Sequence, residues 1–275
     1  MQAVRSKLPV PARQKIQIGC VSYLNAKPLI YGLDEADDIR LTLDVPAKLI
    51  DGLRDRHFDV ALLPIIDVQR LDDVRILTSG GIGCDGPTLT VRIFSKVPFD
   101  KISVLACDTH SHTSAAMARV ILADVYDQHP KFIDFDHRHP TDEADAILLI
   151  GDKVVCEEPK GFDHQLDLGE AWKTLTGLPF VFAAWVARGD VNLHDLANQL
   201  IRSKQLGMRN LDQIIQRDAI PRGWPADLAH RYMTEYLKYD IGDRQLQAIR
   251  LFHRLAAEQG ILDRPLRELV VIREQ

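Results

Sequence analysis

The chain has 275 residues, of which 46% are hydrophobic and 27% are charged, the balance of an ordinary globular protein. Its formal net charge of −5 argues against a general binder of nucleic acid or of anionic membranes. No apolar run approaches the roughly 20 residues that a membrane-spanning helix needs. A chain of this length is expected to form two domains or one large one.

The N-terminal segment and the cysteines indicate the compartment. Residues 1–15 are basic and lack the apolar stretch of a secretory signal, so we predict a disordered leader and a cytoplasmic protein. The four cysteines form no CxxC pair, and a metal site built from them is not expected. Cys20, Cys107 and Cys156 lie in or beside apolar runs, which predicts buried, reduced thiols.

Predicted strands and helices alternate along the first two thirds of the chain. Apolar runs predict strands at 16–21, 41–45, 58–63, 74–78, 88–94, 102–106, 131–135, 145–150 and 180–187. Helical periodicity lies between several of them, at 46–54, where Pro46 suits the first helical position, and at 114–126. This alternation predicts an α/β fold with mostly parallel sheets.

Beyond about residue 190 the strand signal vanishes, and we expect three or more helices, including 243–260. A helical tail raises a DNA-binding helix-turn-helix as an alternative. Residues 191–275 carry 13 basic and 11 acidic side chains, a net charge of only +2. Since DNA-binding modules usually show a clear basic face, helices packed on a sheet are favoured and no nucleic-acid partner is predicted.

Three polar segments follow predicted strands, the position where open α/β sheets bind ligands. In the first, 22–28, Ser22 and Asn25 either cap a helix that starts near Pro28 or bind an anion at its N-terminus. Spacing alone leaves both readings open.

The second polar segment, 109–114, places several hydroxyls at a predicted helix start, and there anion binding is favoured over capping. The third, 83–90, is a glycine-flanked turn that puts Thr90 early on a strand. These residues predict a two-lobed protein with an anion-binding cleft between the three segments, and they do not name the ligand.

Other sites are not expected. Asp134, Asp136, His137 and His139 are metal-ligand types, but a solvated loop is the favoured interpretation, so no metal is predicted. The chain lacks GxSxG, GxxxxGK[ST] and HExxH motifs, and its GxG at 81–83 precedes a strand and not a helix. No cofactor is therefore expected.

Five motifs occur together and in a fixed order. They are SYLNAKPL (22–29), GCDGPTLT (83–90), DTHSHTS (108–114), LIGDKVV (149–155) and DLGEAWKTLTGLPFVFAAW (167–185). In this order they resemble the chorismate dehydratases of the futalosine route to menaquinone, and the resemblance runs from about residue 16 to 190.

The resemblance implies a type II periplasmic-binding-protein-like fold. One lobe would combine residues 16–95 with 187–275, the other would be 96–186, and the substrate cleft would lie between them. The two crossings would fall near 94–98 and 180–185.

The resemblance also implies the reaction and its residues. Chorismate would lose water to give 3-[(1-carboxyvinyl)oxy]benzoate, with the substrate's own enolpyruvyl carboxylate taking the proton and His110 or His112 as the rival base. Asn25 and Thr90 would orient the reacting portion of the substrate. The substrate-binding residues would be Ser22, Tyr23, Gly86, Pro87, Ser111, His112, Thr113 and Ser114. At position 112 relatives are expected to carry arginine, which clamps a carboxylate with two hydrogen bonds, whereas this chain has the shorter histidine.

Two alternatives of the same fold are kept. A solute-binding protein would bind a small anion without changing it, and the naphthoate-forming enzyme of the same pathway would act on a larger substrate. The sequence does not fix the oligomeric state, although a homodimer would be ordinary.

Overall fold

The computed structural model describes residues 15–108, 112–135, 143–157, 159–193 and 195–273. The strands are β1 (Ile16–Cys20), β2 (Ile39–Leu43), β3 (Val60–Pro64), β4 (Val74–Cys84), β5 (Val91–Ser95), β6 (Val104–Asp108), β7 (Lys131–Phe135), β8 (Ala146–Ile150), β9 (His164–Asp167), β10 (Phe180–Arg188), β11 (Leu237–Lys238) and β12 (Val271–Ile272). The α-helices are α1 (Pro46–Arg54), α2 (His112–Tyr126), α3 (Asp152–Cys156), α4 (Leu168–Thr176), α5 (Leu196–Arg209), α6 (Leu211–Ile214), α7 (Ala226–Arg231) and α8 (Asp243–Glu258). The predicted leader falls on residues outside the described part, apart from Lys15.

The first sheet is built on the strand order β11-β4-β10-β3-β1-β2, with β12 added along β4. Strands β1, β2 and β3 run parallel, while β10 lies antiparallel between β3 and β4. Residues 60–63 of β3 are all buried, as expected of a strand covered on both faces. This sheet therefore presents the carboxyl ends of β1, β2 and β3 at one edge.

The second sheet has the order β7-β6-β8-β5-β9. Strand β6 runs parallel to β7 and β8, and β5 pairs antiparallel with β8 and β9. The carboxyl ends of β6 and β8 therefore meet at one edge of this sheet as well.

Both sheets are mixed and not mostly parallel, because the strand that follows each crossing between the sheets pairs antiparallel with its new neighbours. The resemblance implies that β5 ends the first lobe and that β10 lies mainly in the second, whereas β5 belongs to the second sheet and β10 to the first. The crossings thus fall at 85–90 and 168–179, ahead of both predicted points. An antiparallel neighbour needs no helical crossover, so each strand that follows a crossing inserts directly beside the strands of its new sheet.

The helices largely follow the predicted periodicity. Helix α1 begins at Pro46 as predicted, and α8 buries Leu246, Ile249 and Phe252 on one face. Helix α2 begins at residue 112, two residues earlier than predicted.

The segment after β1 differs from its prediction. It forms a 3-10 helix, Leu24–Ile30, with Pro28 inside it and not near its first position. Helix α5 packs closely on this segment because Gly207 has no side chain: a Cβ there would lie 2.2 Å from the carbonyl oxygen of Pro28. Ser203, also on α5, donates a hydrogen bond to the carbonyl of Tyr31 at 2.9 Å. Tertiary contacts with α5 thus shape this turn.

The C-terminal segment is helical, with two features that the sequence did not predict. Short strands β11 and β12 extend the first sheet along β4. Two π-helical turns, Ile215–Ala219 and Tyr232–Tyr236, interrupt the α-helices, and such turns occur frequently at functional sites. Among the described residues, no helix is both long and apolar enough to cross a membrane.

Candidate functional site

A cavity of about 400 Å³, called here the main cavity, is lined by residues that follow strands of both sheets. Asn25 follows β1 and Val45 follows β2, while Asp108 ends β6 and Gly151 follows β8. The two edges that carry the carboxyl ends of the parallel strands therefore meet here, which is where α/β folds of this kind bind ligands.

The walls of the main cavity are mostly apolar, with a few polar groups among them. The apolar lining includes Leu24, Val45, Ile82, Val91, Phe182 and Leu237. The polar lining includes Asn25, Thr88, Thr90, Ser114, Asp108 and Lys153. Small-molecule sites have this composition, because apolar walls supply contact area and a few polar groups fix orientation.

A strained turn places Thr88 and Thr90 in this wall. Leu89 between them has a φ of 66°, a left-handed conformation that is costly for a residue with a branched side chain. The Thr90 N–H donates to the Thr88 carbonyl at 2.8 Å, which closes a γ-turn around Leu89.

Asp167 holds that turn. Its carboxylate accepts hydrogen bonds from the backbone N–H groups of Thr88 and Leu89, at 3.0 and 2.8 Å. The same carboxylate accepts from Gly169 N–H at 3.0 Å and so caps α4. One carboxylate thereby ties the first crossing segment to the start of the second.

Tyr232 brings the C-terminal segment into the cavity wall. Its phenol lies 2.9 Å from the Thr90 hydroxyl, and the Asn25 side chain hydrogen-bonds the same phenol. Burial raises the pKa of Tyr232 well above its usual value, so the phenol stays protonated. The Oδ1 atom of Asn25 is buried and has no partner, which assigns Nδ2 to the side of the phenol.

Trp224 supports Tyr232 from behind. The two rings stack with centroids 5.0 Å apart, and both side chains are buried. The Trp224 Nε1–H donates to the carboxylate of Asp152 at 2.8 Å. Because Asp152 begins α3 after β8, this bond connects the C-terminal segment to the second sheet. The Lys153 ammonium beside it pairs with Asp108.

A smaller cavity of about 90 Å³ adjoins the main one and shares Tyr23, Asn25 and Ser114 with it. His112 and Thr113 line only this adjoining cavity. Together the two cavities form one cleft between the sheets.

His112 is held by a buried partner. Its Nδ1 lies 2.8 Å from a carboxylate oxygen of Asp67, which is fully buried. This hydrogen bond raises the pKa of His112, against opposing effects of partial burial and of Arg70, which pairs with the other Asp67 oxygen at 2.8 Å. A proton transfer at His112 would therefore have to use Nε2.

The structure brings most of the predicted site residues together. Tyr23, Asn25, Thr90 and Ser114 line the main cavity, and His112 and Thr113 line the adjoining one. Ser22 is exposed, and neither it nor Gly86 and Pro87 lines either cavity. Gly86 instead provides the turn before Thr88, with a φ of 126° that favours glycine. Ser111 and His110 lie outside the described residues.

Sequence reasoning missed several residues of the site. Asp108, Asp152 and Lys153 stand inside two of the motifs quoted above, at the ends of predicted strands, and that position was the available signal. Tyr232 and Asp67 had no such signal. The ion pair of Asp108 and the half-buried Lys153 therefore adds charged groups to the amide and hydroxyls of the site.

The cysteines do not contribute chemistry to the cleft. Cys20, Cys84 and Cys107 are buried, and burial raises the pKa of each thiol to about 12. Cys156 is exposed, contrary to the prediction, because it ends the short helix α3 at the surface. Among the described residues, no three His, Cys, Asp or Glu side chains are grouped to hold a metal ion.

Comparisons with known proteins agree with this architecture. Residues 16–258 match the model of a family described as menaquinone biosynthesis. A chorismate dehydratase from Thermus thermophilus is 23% identical in an alignment 242 residues long that covers 80% of this chain and 87% of that protein.

Two solved structures show the fold. A protein from Archaeoglobus fulgidus superposes with a TM-score of 0.73 at 18% identity, over 90% of this chain and 98% of that one. The periplasmic aliphatic sulphonate binding protein of Escherichia coli gives a TM-score of 0.64 at 11% identity, over 96% and 95% of the two chains. The chain thus has the α/β fold of the periplasmic binding proteins.

Proposed function

The chain belongs to the menaquinone biosynthesis family, and we propose that within it the protein is a chorismate dehydratase, a carbon–oxygen lyase of the futalosine route. It would convert chorismate to 3-[(1-carboxyvinyl)oxy]benzoate and water. The relative from Thermus thermophilus that carries this name supports the proposal.

The observation that carries the proposal is the composition of the main cavity. An amide and several hydroxyls, from Asn25, Thr88, Thr90 and Ser114, stand among apolar walls in about 400 Å³. Such a site suits a small cyclic carboxylate whose ring contacts the apolar walls while its oxygen atoms meet the polar groups.

The reaction needs orientation more than strong acids or bases. The proton on the ring carbon that bears the enol ether leaves first, and the resulting carbanion is delocalised towards the ring carboxylate. The neighbouring hydroxyl then takes up that proton and leaves as water, which makes the ring aromatic with no net oxidation or reduction. Because aromatisation drives the elimination, the protein mainly has to hold one substrate geometry and stabilise the developing charge.

Asn25 and Thr90 are the residues that orient the reacting portion in this proposal. The Asn25 Oδ1 atom, buried and without a partner, is suited to accept a hydrogen bond from a substrate hydroxyl. The Thr90 hydroxyl lies at the opposite end of the same hydrogen-bonded group. The substrate's enolpyruvyl carboxylate takes the proton, and His112 is the rival base through Nε2.

The charged residues of the cleft balance one another. Asp108 is paired with Lys153, and Asp152 accepts from Trp224 with Arg222 3.7 Å away. A dianionic substrate therefore meets carboxylates that already have cationic or hydrogen-bonding partners. We propose that Ser114, at the start of α2, and His112 bind one substrate carboxylate where relatives are expected to use arginine.

The proposal is tested by mixing purified protein with chorismate and no added cofactor, and following the ultraviolet spectrum and product mass. A product lighter than chorismate by one water is expected. Chorismate recovered unchanged from a protein whose melting temperature it raises would favour a solute-binding protein of the same fold. If chorismate is neither converted nor raises the melting temperature, the result contradicts the proposed function.

A further inference from the structure

Tyr232, which no motif of the sequence singled out, lies at the centre of the polar group in the main cavity. Its side chain is buried, yet its phenol reaches both Asn25 and Thr90. It comes from the C-terminal segment, 142 residues beyond Thr90. The π-helical turn Tyr232–Tyr236 begins at this residue and follows directly on α7.

The directions of these hydrogen bonds follow from the partners. Asn25 acts on the phenol in the sense of a donor, and its Oδ1 has no partner, so Nδ2 is assigned to the side of the phenol oxygen. The single phenol proton is then available for the Thr90 hydroxyl oxygen 2.9 Å away. Once that oxygen accepts, the Thr90 proton is free to point into the cavity.

We propose that Tyr232 is a positioning residue, which makes Thr90 a hydrogen-bond donor and Asn25 Oδ1 an acceptor towards the same substrate. This inference rests on the proposed function and adds to it which group of the site donates a hydrogen bond and which accepts one. The acceptor would meet the hydroxyl that leaves, and the donor would meet an anionic oxygen of the substrate. Hydrogen bonds in such a chain polarise one another, which strengthens the last donor.

The residues around Tyr232 hold its ring in place independently of its hydroxyl group. Trp224 stacks on it at 5.0 Å, and the indole is itself tied to Asp152. The ring is therefore held by packing, and its hydroxyl can be removed while the stack stays in place. A phenylalanine at this position tests the hydroxyl alone.

A matched control is present seven residues further on. Tyr239 is also buried, but its hydroxyl has no hydrogen-bond partner, and its side chain does not line the main cavity. Removing an unpartnered buried hydroxyl is expected to be neutral or slightly stabilising. Tyr239→Phe should thus keep activity within about twofold of wild type, since it breaks no hydrogen bond.

The experiment measures kcat and KM for chorismate, together with melting temperature, in Tyr232→Phe, Thr90→Val and the double variant. We expect Tyr232→Phe to lose about tenfold or more in kcat, with a smaller change in KM, because each lost hydrogen bond matters most in the transition state. The double variant should lose no more than Thr90→Val alone, since both changes break one chain. Thr90→Ser, which keeps the hydroxyl, should retain most of the activity.

Three results would overturn the inference. They are Tyr232→Phe activity within twofold of wild type, losses that multiply in the double variant, or a Tyr239→Phe loss equal to that of Tyr232→Phe. Wild-type protein that leaves chorismate unchanged would overturn the proposed function itself and this role with it. Active wild type with an unaffected Tyr232→Phe would overturn the role of Tyr232 alone.

Discussion

The buried carboxylate of Asp67 accepts a hydrogen bond from Nδ1 of His112 at 2.8 Å, across the junction of the two sheets. Asp67 lies in the 3-10 helix Ile65–Arg70 that follows β3, whereas His112 opens α2 after β6. The pair therefore fixes the start of α2, with Thr113 and Ser114, against the first sheet. It also sets the protonation of the histidine that stands where arginine was expected.

This pair makes stability depend on pH in a defined direction. Asp67 raises the pKa of His112 above its usual 6.5, so the stabilisation is complete below 6.5 and is lost as pH rises through the folded-state pKa. Asp67→Asn should remove this dependence and lower the pKa of His112. Histidine ring signals followed by NMR against pH in both proteins check the prediction, and unchanged titration of His112 in Asp67→Asn would contradict it.

His253 makes the opposite contribution. It is buried, accepts at Nδ1 from Gln69 at 3.1 Å and donates from Nε2 to the carbonyl of Ile65 at 2.8 Å. Burial lowers its pKa from 6.5 to about 4, so the neutral form is favoured in the folded state. Its stabilisation is complete above pH 6.5 and falls as the pH drops towards 4, by about 3 kcal/mol in total.

Urea unfolding at pH 7.5 and at pH 5 measures this effect. In His253→Gln the amide can replace both hydrogen bonds but does not titrate in this range. We expect the variant to lose less stability than wild type between the two pH values. Equal losses in the two proteins would show that His253 is not the acid-sensitive group.

The two orienting residues should be needed for turnover and not for folding. Asn25→Ala and Thr90→Val are each expected to lower kcat by about a hundredfold, the usual effect of removing one polar group that acts on the transition state. Melting temperatures should change little by comparison. Asn210→Ala gives a control outside the cleft: Asn210 lines neither cavity, and its side chain donates to the Leu206 carbonyl and accepts from Gln213. Wild-type turnover in both site variants would refute the assignment.

Asp167 should matter to both stability and turnover. It accepts the N–H groups of Thr88 and Leu89, and without it the left-handed conformation of Leu89 loses its support. Asp167→Asn is expected to cost about 1–3 kcal/mol of unfolding free energy and to reduce kcat, since Thr90 moves with the turn.

The exposed Asp163 offers a matched control, because Asp163→Asn removes the same charge four residues away. Chemical denaturation and chorismate turnover of both variants decide the matter. If Asp163→Asn and Asp167→Asn behave alike, the effect is one of charge and not of the turn.

Much of the fold could be predicted from local pattern. The strand 131–135 was predicted at its observed bounds, and α1 at its own, because apolar runs and Pro46 are local signals. The sheet that β5 joins could not be predicted, because its pairing partners, such as Ile150 and Asp167, are far away along the chain. Mixed sheets arise from pairings between strands that are distant in sequence, and the periodicity of apolar residues does not reveal these pairings.

The site residues that lie within the sequence motifs could be predicted, and those outside the motifs could not. Asn25, Thr90 and Ser114 follow strands or open a helix, and the structure gathers them in one cavity. Tyr232 lies in a helical tail whose pattern only indicates burial, and its contact with Thr90 exists only in the folded chain. Residues that act through tertiary contacts of this kind leave no local signal.

The central claim, that this cleft dehydrates chorismate, is tested most directly by following the substrate and its product together by proton NMR. The account predicts that the diene ring signals give way to aromatic ones while the enolpyruvyl methylene signals persist, with catalytic amounts of protein. Release of pyruvate, or chorismate signals that stay unchanged beside folded protein, would contradict it.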